Sequence, residues 1–146
     1  MLKVHMSLAV QDVPATSAFY ETLFQSPPIK TKDDYVKFEP EDLALNISFT
    51  ALDTGQTVDT NCHHLGIQFP SQATLDQEFD RLQAANLVYG ERESSICCYA
   101  DQDKFNVRDP DGYQWELYYL ISDSEIKIDP TTNCCASESG KASCCD

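Results

Sequence analysis

A chain of 146 residues with 42% hydrophobic and 23% charged content suits one compact soluble domain, or two small halves sharing a core. Its formal net charge of −14, from 24 acidic and 10 basic residues, repels nucleic acid and anionic lipid surfaces and so argues against both as partners. No apolar run approaches membrane-spanning length, and the start Met1-Leu2-Lys3-Val4-His5 reads as a strand rather than a signal peptide, which predicts a cytoplasmic protein.

In chain order, Val4 to Val10 alternates as a strand, with Val4, Met6, Leu8 and Val10 on the face expected to be buried and His5, Ser7 and Ala9 on the other. Asp12 and Pro14 form a helix entry, the carboxylate capping free N–H groups and the proline tolerated in the first turn. The helix continues through Phe19 and Leu23 to about Phe24, and Pro27-Pro28 stops it. Short strands are predicted at Ile29 to Thr31, Tyr35 to Phe38 and Leu43 to Phe49, followed by a polar link from Asp53 to Asn61.

The pattern then begins again. His63 to Phe69 can be laid over Val4 to Val10 so that His64 falls on His5. A helix from about Ser71 to about Ala85 follows, then strands near Glu91 to Glu93, Asp103 to Asp109 and Gln114 to Tyr119. This makes Glu116 the approximate counterpart of Asn46. A duplicated strand–helix–strand–strand–strand unit is the most economical description. From Ser122 the composition turns polar, and residues 122–146 read as a flexible Cys-rich tail.

Six of the seven cysteines fall in adjacent pairs, Cys97-Cys98, Cys134-Cys135 and Cys144-Cys145, with Cys62 alone. Adjacent cysteines make poor disulfides, so in a reducing compartment these are thiols available to soft metals or metalloids. Cys97-Cys98 lies in a hydrophilic setting, between Ser94-Ser95 and Asp101-Gln102-Asp103. In a regular strand the two side chains would diverge, so joint binding calls for an irregular loop from Cys97 to Lys104 that closes over a site. Two small, partly buried apolar residues are the competing reading. Tyr99 and Lys104 are candidate loop or pocket residues, and Phe105, Tyr113 and Trp115 can wall a cavity or fill a core. Asp109-Pro110-Asp111-Gly112 is a turn signal to which no chemistry is assigned.

His5, His64 and Glu116 each fall on a predicted strand, the two histidines at equivalent positions of the repeat. If the halves pack about a pseudo-twofold axis, those positions face one cavity. Two imidazoles and a carboxylate suit a first-row ion and leave positions open. Alternation sends His63 to the opposite face from His64, which makes His64 the ligand choice. A lone histidine more often simply fills a polar strand face; the correspondence across the repeat reverses that preference.

The histidine-bearing first strand, the Asp-Pro-Asp-Gly turn before Trp115-Glu116 and the duplicated half resemble the vicinal oxygen chelate superfamily, which includes glyoxalase I and extradiol dioxygenases. The run CCYADQDKFNVRDPDGYQWELYY, from Cys97 to Tyr119, more specifically resembles organoarsenical carbon–arsenic lyases and the related cadmium-induced proteins. The resemblance covers residues 1 to about 121. It implies an α+β vicinal oxygen chelate fold, two βαβββ modules (about 1–52 and 61–121) forming a half-open barrel around a metal site. It further implies a single Fe(II) held by His5, His64 and Glu116, and a pair, Cys97 and Cys98, that binds trivalent organoarsenicals. The implied reaction is O2-dependent cleavage of the carbon–arsenic bond with release of arsenite. The superfamily builds its barrels within one chain or between chains, which leaves a homodimer open. Two rival readings are a non-catalytic protein that sequesters cadmium or arsenite, and a glyoxalase-like metalloenzyme or thiol transferase. The latter usually wants a fourth protein ligand, where Asn46 offers no carboxylate.

Overall fold

The computed structural model describes residues 2–60, 64–97 and 100–123. It divides into two compact units, Met1–Thr60 with Asp109–Tyr113, and Asn61–Arg108 with Gln114–Asp146.

The first unit runs β1 (Val4–Val10), α1 (Val13–Phe24), β2 (Lys30–Lys32), β3 (Tyr35–Phe38) and β4 (Leu45–Ala51). Its sheet has the order β1-β4-β3-β2, with β1 parallel to β4 and the remaining pairs antiparallel. Asp12 caps α1 as its position suggests, its Oδ1 accepting from the Ala15 N–H at 2.9 Å. The apolar stripe of α1 supplies Phe19, Tyr20 and Leu23 to a core shared with Val36, Phe38, Ile47 and Phe49. Tyr20 and Phe49 lie with ring centroids 4.1 Å apart. Along β1 the burial deepens toward the C-terminal end: Leu8 and Val10 are buried, but Val4 is 62% exposed. The alternation gave the right face for Val4 and the wrong depth, because depth depends on what packs above the strand.

The five residues Asp109–Tyr113 belong to this first unit. The Asp109 carboxylate is buried and accepts from Tyr20 Oη at 2.9 Å, and from the Asp111 and Tyr113 N–H groups at 3.0 and 2.9 Å. Burial pushes this carboxyl up from its ordinary value, against the pull of those hydrogen bonds. Asp111 Oδ1 accepts from the Gln11 N–H at 2.8 Å, and Tyr113 Oη donates to the Ala9 carbonyl at 3.1 Å. Gly112, at φ +96, takes the left-handed position the turn requires. What the sequence shows as a turn is therefore also a buried polar anchor.

The second unit runs β5 (Leu65–Gln68), α2 (Gln72–Ala84), β6 (Val88–Cys97), β7 (Ala100–Arg108) and β8 (Gln114–Asp123). Its sheet order, β5-β8-β7-β6 with β5 parallel to β8, repeats that of the first unit. The predicted duplication is thus present in the topology. Ser71 and Thr74 form a reciprocal capping box at the start of α2. Leu75 and Leu82 from the helix are buried, as are Phe105, Val107, Trp115 and Leu117 from the sheet. β8 continues through Ser122 to Asp123, past the point where the composition turns polar. No helix among the described residues is long and apolar enough to cross a membrane.

Candidate metal centre

Glu116 sits in the middle of β8, and its carboxylate has two partners from its own unit. Lys104, 3% exposed and carried on β7, donates from Nζ to Glu116 Oε2 at 3.0 Å. On the other oxygen, His64 Nε2 stands 3.9 Å from Glu116 Oε1. The β7–β8 register pairs Lys104 with Tyr118 and Asn106 with Glu116, so residues 104 and 116 are diagonal neighbours on one face of the sheet. His64 lies one residue before β5 rather than on it as expected; its imidazole is largely exposed.

Electrostatics tie the three together. Burial alone would push the Glu116 carboxyl up, but the nearby His64 ring and the Lys104 charge outweigh it and hold the group below its ordinary range. The same carboxylate raises the His64 imidazole above its usual value. Glu116 is therefore ionised at neutral pH and faces the Lys104 ammonium and the His64 ring. Opposite it on β5 is Gly66, where an added Cβ would lie 3.0 Å from the Glu116 carbonyl oxygen. Only a hydrogen at that position lets β5 and β8 approach without displacement.

His5, in the first unit, is exposed and pairs across the β1–β4 register with Asn46. The register corrects one correspondence. Laying His64 on His5 places Leu65 on Met6; Met6 pairs with Ile47 and Leu65 with Trp115. Trp115 then matches Ile47, and Glu116 matches Ser48 instead of Asn46. The two-residue slip keeps the strand face, which is why alternation did not reveal it. Ser48 is buried, its Oγ 3.5 Å from the Met6 carbonyl. The first unit thus offers a hydroxyl, not a carboxylate, where the second has its glutamate.

Among the described residues no three His, Cys, Asp or Glu side chains form a group that could hold a metal ion. The second unit nevertheless supplies a donor pair of the right chemistry. An imidazole nitrogen and a carboxylate oxygen 3.9 Å apart lie within the span that two ligands, each at about 2.0–2.2 Å, bridge through one ion.

The thiol stretch differs from its expectation. Cys97 is the last residue of β6 and pairs with Ala100, the first of β7; Cys98 and Tyr99 lie outside the described residues, as do Cys62, His63, Cys134, Cys135, Cys144 and Cys145. Ala100 to Lys104 is paired strand rather than irregular loop, and Lys104 is a buried strand residue. The hydrophilic surroundings that suggested exposure are themselves buried at Gln102 and Asp103. Asp103 accepts from Arg92 Nε at 3.0 Å and Nη2 at 2.7 Å, and from Gln72 of α2. Arg92 also pairs with Asp76 of α2, and its guanidinium lies 5.2 Å from the Phe79 ring centroid. Successive residues of β7 therefore serve opposite sides: Asp103 is fixed toward the helix, and Lys104 is turned toward Glu116. Neither partnership is legible in the chain, since both join residues more than ten positions apart.

Known proteins resolve the family. The model of the Glyoxalase/Bleomycin resistance protein/Dioxygenase superfamily matches residues 4–117. The chain belongs to this superfamily. The chain is 33% identical over 148 aligned residues, spanning 99% of its length and all of the relative's, to the "Probable trivalent organoarsenical cleaving enzyme" of Bacillus subtilis (strain 168). It is 34% identical over 146 residues, 100% of this chain and 94% of the relative, to the "Cadmium-induced protein CadI" of Mycobacterium tuberculosis (strain ATCC 25618 / H37Rv). A superfamily crystal structure from Alicyclobacillus acidocaldarius matches with a TM-score of 0.67 at 15% identity, covering 82% of this chain and 92% of that one. A lactoylglutathione lyase from Agrobacterium tumefaciens matches with a TM-score of 0.61 at 17% identity, covering 80% and 91%. These structural likenesses support the α+β superfamily fold; at such identities they carry nothing about activity.

Proposed function

We propose that this superfamily member is an Fe(II)- and O2-dependent enzyme that cleaves the carbon–arsenic bond of trivalent organoarsenicals and releases arsenite. The observation that carries the reading is the Glu116 carboxylate 3.9 Å from His64, in a chain that aligns over nearly its whole length with relatives named as organoarsenical cleaving enzymes. His5, His64 and Glu116 are the proposed iron ligands, a donor set that fits a first-row ion with open positions. Bound iron would supply the redox chemistry with dioxygen.

The chain's own residues supply placement. Cys97 and Cys98 lose their thiol protons to two oxygen ligands of the arsenical, forming two sulfur–arsenic bonds and releasing two waters. This exchange selects the trivalent oxidation state and fixes the arsenic, so its organic substituent is oriented for reaction. Lys104 holds the outer oxygen of Glu116, which keeps that carboxylate ionised and oriented. Thiols of this kind need a reducing compartment, in keeping with a cytoplasmic location.

Sequestration without turnover is the second reading, favoured by the likeness to cadmium-induced proteins. Two variants separate the readings. His64→Ala should lose iron and activity together, whereas Cys97→Ser should keep iron and lose arsenical binding. Soft-ion binding as the sole property, unaffected in Glu116→Ala, would support sequestration. Ser48 in place of a fourth carboxylate weighs against a glyoxalase-like site.

A further inference from the structure

We infer that Asn46 is a positioning residue for His5: it holds the imidazole proton on Nδ1 and so leaves Nε2 as the lone-pair nitrogen for a metal ion. The inference rests on the proposed role of His5 as a ligand, and adds how the first unit prepares that ligand.

The argument starts at Glu39. Its carboxylate receives Lys3 Nζ at 2.6 Å and Lys37 Nζ at 3.0 Å, and these hydrogen bonds hold it below its ordinary range. An ionised carboxylate only accepts. Glu39 follows β3, whose register pairs Phe38 with Ile47, and this brings it to Asn46. The Asn46 side chain approaches Glu39 Oε1 at 3.2 Å, so the group presented there has to be the amide NH2. That orients the whole amide, which otherwise could take either of two flipped settings.

The Asn46 oxygen is then directed the other way, where His5 Nδ1 stands 3.2 Å from Oδ1. Two acceptors cannot satisfy each other, so Nδ1 carries the proton. In a neutral imidazole the second nitrogen is then bare, which is the form a metal takes. The relay Lys3/Lys37–Glu39–Asn46–His5 is built from β1, β3, β4 and their flanking residues, all within one unit. It would also explain an asparagine opposite His5: its amide can donate to Glu39 and accept from His5 at once.

The test uses full-length, metal-free protein labelled with 15N-histidine, at a pH where the ring is neutral. Two-bond 15N–1H correlations report which ring nitrogen carries the proton, and the His5 signal is assigned by its loss in His5→Gln. Wild-type protein should show His5 protonated on Nδ1. Asn46→Ala, and Glu39→Ala, which leaves the Asn46 side chain in place but frees its amide to flip, should both release the ring to a mixture of tautomers. Co(II), titrated alone and followed by its visible spectrum, should bind the Asn46→Ala protein about 10- to 100-fold more weakly. A wild-type His5 protonated on Nε2 overturns the inference, whether or not the variants fold. So does an Nδ1–H signal that Asn46→Ala leaves unchanged. Tautomer release with unaltered Co(II) affinity overturns the positioning role; if His5→Gln also keeps its affinity, the failure lies in the reading of His5 as a ligand.

Discussion

Lys104 and Glu116, twelve residues apart on neighbouring strands, form a 3.0 Å ion pair whose lysine is almost wholly buried. A buried ammonium of this kind persists only with a partner, and here the partner is the proposed metal-binding carboxylate. The lysine charge favours the ionised carboxylate and would also repel a cation held there.

Lys104→Met roughly keeps the volume and removes the charge, leaving His64 to oppose the burial that pushes the Glu116 carboxyl up. Stability should fall by about 1–3 kcal/mol, read from urea unfolding. Fe(II) retained after desalting under argon should fall as well. Tighter iron binding in this variant would show that charge repulsion dominates.

Gly66→Ala removes no ligand, yet its Cβ would crowd the Glu116 backbone oxygen at 3.0 Å. Overpacking of this kind typically costs about 1–3 kcal/mol. The variant should retain its circular dichroism spectrum and lose metal affinity. Unchanged affinity would mean that β5 and β8 can separate without moving Glu116.

Asp103 gives the acid dependence of stability. Hydrogen bonds from Arg92, opposed by burial, hold its carboxyl below the usual range. The folded state therefore binds fewer protons than the unfolded state, and stability rises with pH through that window. The contribution is complete above the unfolded value of about 3.9 and is lost as pH falls through the lower folded value. Asp103→Asn should flatten this acid limb in urea midpoints measured from about pH 2 to 7; Asp76, also lowered by Arg92, retains part of it. Superimposable acid limbs would contradict the pairing.

The local signals were legible because their causes are local. Asp12 with Pro14 and Ser71 announce helix starts within three or four residues, and both α1 and α2 begin there. The duplicated strand order followed from repeated periodicity. What failed depended on distant partners. Asp101 and Gln102 read as solvated loop, yet they pair with β6 and β8, and Asp103 and Lys104, where the expected strand begins, find their partners in the distant Arg92 and Glu116. Asp109 reads as a turn residue, and only the fold reveals Tyr20 beside it. Register is the subtlest case: a slip of two residues left Asn46 on the right face but gave it the wrong counterpart. Residue types at the candidate site could be read from the chain, whereas the relay behind His5 and the lysine behind Glu116 required the sheets.

The central claim is tested most directly by arsenite release from trivalent phenyl or methyl arsenical, under air, with Fe(II)-loaded full-length protein. Metal-free and oxygen-free samples run beside it. Release that requires both iron and oxygen is the predicted result. Tight arsenical binding with no arsenite released under any condition would contradict it, and would assign the thiols to sequestration.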